Sequence, residues 1–190
     1  MLKKRFYILL FFCLLLGGNV NSSTVDKGDN NAPFENKRTE TDYLPIADPF
    51  VMLYNNKYYA YGTGGTVNEG FACFSSDDLK NWKRERQALS ADDSYGKWGF
   101  WAPEVYYIQS KKKFYMFYSV EEHICVATSD SPVGPFRQES KQPIWEEKSI
   151  DTSLFIDDDG TPYLYFVRFT DGNVIWVAQM TDDLMKIKKE

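Results

Sequence analysis

Residues 149–166 read SIDTSLFIDDDGTPYLYF. A carboxylate, Asp151, stands just before an apolar run that breaks at Asp159-Gly160 and resumes as an aromatic stretch. Asp-Gly between two alternating apolar runs is hairpin chemistry, so the stretch predicts two antiparallel strands with an acid at the mouth of the first. Taken alone, an Asp beside Ser and Thr is also what an ordinary turn or cap contains. The rest of the chain separates these readings, because it repeats the arrangement.

Two earlier segments line up with this one, ADPFVMLYNNKYYAYGTGG from Ala47 and APEVYYIQSKKKFYMFYSV from Ala102. Each of the three is followed by a further strand-like run that ends in a Ser/Thr-Asp turn: GFACFSSDD, HICVATSDS and VIWVAQMTDD. The hairpin turns fall at Asn55-Asn56, Ser110-Lys111 and Asp159-Gly160. Tyr, Phe, Val and Ile alternate throughout, and no segment has the length and period of a helix. The last residues, DDLMKIKKE, match the earlier DDLKNWK and read as a turn followed by a fourth strand.

Repeats of about 40–50 residues, each a small antiparallel sheet, are the signature of a β-propeller. The fold expected is therefore all-β, with about three blades in this chain. In a propeller the innermost strand of each blade lines the central channel. Asp48, Glu104 and Asp151 each stand at the start of such a strand and are expected to converge on one end of the channel. A repeated turn residue without a shared role is the competing reading of the same acids.

The N-terminus carries Lys3, Lys4 and Arg5, then an apolar run from Phe6 to Leu16, then small and polar residues. This is a secretory signal pattern over residues 1–22, with a run shorter than the about 20 residues of a membrane span. Phe12, in place of a small residue, argues against a lipid anchor at Cys13. Residues 23–42 form a polar leader, and 43–190 the partial propeller domain. A secreted or periplasmic location follows, with no membrane span after signal removal.

The chain has 22 basic and 27 acidic residues, a net charge of -5, and no basic stripe, which argues against nucleic acid as a partner. Cys73 and Cys125 sit in apolar runs and read as free buried thiols rather than a disulfide framework. Asp157-Asp158-Asp159 lacks the alternation of a calcium loop and reads as a solvated turn. His123, the only histidine, begins an outer strand and reads as structural. No G-x-S-x-G elbow supports a serine nucleophile. Neither a metal site nor a cofactor is expected.

Two carboxylates, one ionised and one protonated, are the machinery for cleaving a glycosidic bond, and a third nearby can raise its neighbour's pKa. ADPFV at 47–51, WAPEVYY at 101–107 and IDTSLFIDDDGTPYLYF at 150–166 resemble, in order and spacing, the successive signatures of glycoside hydrolase family 43. The family comprises five-bladed propeller arabinofuranosidases, xylosidases and arabinanases. The resemblance runs from about Tyr43 to the last residue.

It implies that Asp48 is the general base that activates water, and that Asp151 orients substrate and tunes the acid. It implies a substrate-side role for Trp101 and Glu104, the indole face of Trp101 being suited to a sugar ring. It implies an inverting reaction on arabinose- or xylose-containing polysaccharides, without cofactor. The family's general acid is a Glu that opens the fourth blade, and the sequence stops at Glu190 before such a blade. The chain therefore reads as the N-terminal portion of an enzyme domain. A non-catalytic carbohydrate-binding propeller, or an inactive fragment, is the alternative.

Overall fold

Alternating aromatic and β-branched residues, broken by Asn, Asp and Gly, produce ten strands in three antiparallel sheets among the described residues. The structure is a computed structural model that describes residues 44–64, 69–170 and 172–188. The signal pattern, the polar leader, Cys13 and Glu190 lie outside the described residues. The first sheet holds β1 (Ile46–Tyr54), β2 (Lys57–Gly64), β3 (Gly70–Ser76) and β4 (Lys83–Ser90) in sequence order. The second holds β5 (Trp101–Ile108), β6 (Lys113–Val120) and β7 (His123–Ser129), and the third β8 (Ser149–Ile156), β9 (Pro162–Arg168) and β10 (Val174–Gln179). These are three blades of a β-propeller.

Each inner hairpin closes by a different device. Asn55 and Asn56, at φ 49 and 59, form the two-residue turn read from the sequence, since Tyr54 pairs with Lys57. The second turn is wider than Ser110-Lys111. Ile108 pairs with Lys113, so four residues cross over, and Lys112 takes the left-handed conformation at φ 51. In the third, Gly160 N–H donates to the Asp157 carbonyl at 2.8 Å, which centres the turn on Asp158-Asp159. Gly160 then supplies the left-handed step at φ 85 that returns the chain to the ladder.

The fourth strand differs among blades. Blade one has all of β4, whereas in blade three the segment after Thr181 stays a turn and contributes one bridge, Met180 to Ile187. Asp78 and Asp183 cap the two related turns, and each is followed by a left-handed leucine, Leu79 at φ 63 and Leu184 at φ 64.

The core lies between blades. β6, KFYMFYSV, is buried along almost its whole length. Phe114, Met116, Tyr118 and Val120 join one apolar cluster with blade one, while Tyr115 and Phe117 join a second with blade three. A strand covered on both faces needs apolar residues at successive positions, which is why this one loses its polar alternation. Cys73 and Cys125 are free and buried in the first cluster. The far face of blade three is open: Phe155, Tyr165, Ile175, Trp176 and Val177 are exposed. Arg168 covers part of it, its guanidinium 4.2 Å from the Trp176 ring centre.

Phe117 is fully buried at the junction of blades two and three. Phe117→Ala is expected to cost about 3–5 kcal/mol, read as a lower urea midpoint at unchanged slope.

Candidate active site

The three inner strands begin with the same backbone defect. Register slips between Ala47 and Phe50 in β1, Trp101 and Glu104 in β5, and Ile150 and Ser153 in β8. The extra residue lies at φ 46 in Asp48, φ 44 in Ala102 and φ 55 in Asp151. Asp enters this left-handed region more easily than Ala, because its short polar side chain bonds locally. The strands thus align as ADPF, WAPE and IDTS.

This alignment corrects one expectation. Asp48 and Asp151 are equivalent, but Glu104 is two residues past the bulge, in register with Phe50 and Ser153, and Ala102 holds the bulge of blade two. The three acids nevertheless meet. Asp48-Pro49-Phe50, Ala102-Pro103-Glu104 and Asp151-Thr152-Ser153 line one cavity of about 230 Å³. A larger hollow of about 510 Å³ continues along the same strands, walled by apolar and aromatic residues such as Met52, Val105 and Leu154. Trp101 is not a wall of either cavity. It is half-buried beside Ala102, its ring edge-on to the exposed Trp98 at 6.4 Å.

Hydroxyls at the ends of the second strands hold the bulges. Thr63 Oγ1 donates to Asp48 Oδ2 at 2.8 Å and accepts from Ala102 N–H at 2.9 Å. Ser119 Oγ accepts from Asp151 N–H at 3.0 Å. Tyr106 is a second hub: its hydroxyl donates to Glu104 Oε2 and accepts from Leu154 N–H at 3.2 Å. Its ring packs on Phe50 and Phe117. Burial, and then the Glu104 bond, push the Tyr106 phenol up to about 12, so it remains a donor at neutral pH. The sequence reading passed over Thr63, Ser119 and Tyr106. Aligning the second strands on the bulges would have placed Thr63, Ser119 and Val167 in one column.

Burial raises Asp151 above its ordinary value of 3.8, and the charge of Asp48 raises it further. Desolvation and a like charge both favour the protonated form. Among the described residues no three or more His, Cys, Asp or Glu side chains are gathered closely enough to hold an ion, so the acids surround the cavity rather than focus on a point. His123 Nδ1 bonds the Glu121 carbonyl at 2.8 Å, and its ring contacts Tyr95. Asp157 and Asp159 oxygens accept from the backbone of their own turn. No helix among the described residues is long and apolar enough to cross a membrane.

Tyr106→Phe keeps the ring contacts but leaves the Leu154 N–H unpaired. A loss of about 1–3 kcal/mol is expected, measured by chemical denaturation. The raised Asp151 also gives a signed pH dependence. The folded protein retains a proton that the unfolded chain releases, so this group's contribution is complete below 3.8 and is lost as pH rises through the higher folded value. Asp151→Asn is expected to flatten that part of the curve of melting temperature against pH.

Residues 44–190 match the sequence profile of glycosyl hydrolases family 43. The chain is 87% identical to the crystal structure of an endo-1,4-beta-xylanase from Bacteroides thetaiotaomicron VPI-5482, over 78% of this chain and 52% of that one, with a TM-score of 0.76. The structure of a thermostable family-43 glycoside hydrolase is 35% identical over 77% of this chain and 51% of its own, with a TM-score of 0.69. The arabinoxylan arabinofuranohydrolase of Bacillus subtilis (strain 168) is 30% identical over 63% of this chain and 30% of that protein. The chain thus spans about half the length of these solved relatives and less of the curated one.

Proposed function

The chain belongs to family 43 of the glycosyl hydrolases, and from that premise we propose that its protein hydrolyses O-glycosidic bonds in arabinose- or xylose-containing polysaccharides with inversion. The observation that carries this reading is the meeting of Asp48, Glu104 and Asp151 from three blades in one cavity. Xylan- and arabinan-directed names among the relatives support the substrate class.

In this mechanism the Asp48 carboxylate takes a proton from a water that attacks the anomeric carbon, while a general acid protonates the departing oxygen. Asp48 has the donor it needs to stay oriented, the Thr63 hydroxyl. Asp151, disfavoured as an anion by burial and by Asp48, sits where it can bond sugar hydroxyls and bias the ionisation of the acid. Glu104, fixed by Tyr106, offers its free oxygen to a substrate hydroxyl. The family's general acid is a Glu of a fourth blade, and no described residue takes that role here. The signal pattern supports a secreted or periplasmic location.

A second reading is binding without catalysis: with Asp48 as base, Asp151 as modulator and Glu104 held by the Tyr106 phenol, none of the three carboxylates that line the cavity is left to serve as general acid. Asp48→Asn in the full-length protein separates the readings. The variant is expected to lose about 10²–10⁴-fold in kcat on xylan or arabinan fragments, with binding by calorimetry retained. Undiminished turnover would remove Asp48 from the mechanism, and a wild-type protein that binds without turnover would favour the binding module.

A further inference from the structure

We propose that Thr63 is a positioning residue that holds the Asp48 carboxylate in its working orientation, and that it does so by spanning two blades. The inference rests on the reading of Asp48 as the general base.

The three blades offer the same two positions, and only one blade fills both for this purpose. Thr63, Ser119 and Val167 are equivalent, each paired with the residue before its own blade's bulge: Ala47, Trp101 and Ile150. Asp48, Ala102 and Asp151 are the corresponding bulge residues. Blade two has the hydroxyl but an alanine at the bulge. Blade three has the acid but a valine where the hydroxyl would be. Blade one alone of these has both, and there the hydroxyl oxygen lies 2.8 Å from Asp48 Oδ2.

The direction of the bond is also set. A threonine hydroxyl has one proton and two lone pairs. Ala102 N–H occupies a lone pair at 2.9 Å, which leaves the proton for the carboxylate. Donation into the oxygen from one side strengthens its donation on the other. The cross-blade N–H belongs to a left-handed residue at φ 44, so its place is fixed by the bulge of blade two. Thr63 therefore ties Asp48 to the backbone of the blade that carries Glu104. Asp151 receives no such bond from Val167, and the two equivalent acids are left in unlike surroundings, as a division between base and modulator requires.

Gly62 makes the approach possible. A Cβ there would lie 2.5 Å from the Ala47 carbonyl oxygen, so the strand bearing Thr63 can lie against the bulge only without a side chain at that position.

The test compares Thr63→Val, which keeps the branched shape without the donor, Thr63→Ala, which removes it without adding a methyl, and Thr63→Ser, which restores it. Steady-state kinetics of the full-length protein on xylan or arabinan oligosaccharides would be measured beside Asp48→Asn. Loss of a charge-assisted bond predicts that T63V and T63A lower kcat by about 10- to 100-fold, with KM little changed, and that T63S recovers most of it. T63V and T63A also leave the Ala102 N–H without its acceptor, so melting temperature is measured beside the kinetics. A purely structural role would lower stability and leave the kcat of the folded protein unchanged, and wild-type kcat in T63V and T63A overturns the proposal. Equal impairment of T63S and T63V overturns it too. Full turnover in Asp48→Asn would instead strike the base assignment, and the proposal with it.

Discussion

A propeller blade has two faces, and only its neighbours can bury them. This constraint governs the molecule more than any single contact. An isolated hairpin is at best marginal in water, and blade two is held at the centre because blade one covers one face of β6 and blade three the other. Burial on both sides also fixes register, since a slip by one residue would exchange the two sets of side chains. Register in turn decides where each inner strand begins. The cavity exists because three inner strands, locked in this way, start at the same level.

At that level the backbone does something a regular strand does not. Each inner strand carries a bulge with a left-handed residue, and a hydroxyl of the preceding blade reaches the bulge N–H in both of the junctions described. The defect is common to all three blades, whereas the side chain it carries is not. Asp48 and Asp151 use it to bring a carboxylate to the cavity, while Ala102 carries no functional group there and accepts a conformation that costs a non-glycine residue roughly 1–2 kcal/mol. The bulge is thus part of the architecture, and its chemistry is chosen blade by blade.

Much of this is legible in the sequence, for reasons that are local. The hairpins follow from turn chemistry, Asn55-Asn56 to the residue and the third with its centre on Asp158-Asp159, one residue before the expected Asp159-Gly160, and the repeat of strand, turn and strand shows the blades. The meeting of Asp48, Glu104 and Asp151 follows from the repeat. Matching acid to acid misplaces Glu104, because the feature that repeats is the bulge, and its blade-two occupant has no charge. The hydroxyls are less visible still. Thr63 acts on a backbone amide 39 residues away, in another blade, and nothing in its own neighbourhood announces that. Tyr106 reads as one more aromatic of a strand until Glu104 and Leu154 are seen on either side of its oxygen.

The same blade-to-blade burial has a consequence for redox chemistry. Desolvation lifts the thiols of Cys73 and Cys125 to about 12. Oxidants and electrophiles attack the thiolate, and at neutral pH a group titrating near 12 is ionised in about one molecule in 10⁵. The two sulfurs behave as small apolar spacers, and a chain that carries unpaired cysteines is protected from oxidation by the packing that holds its blades together.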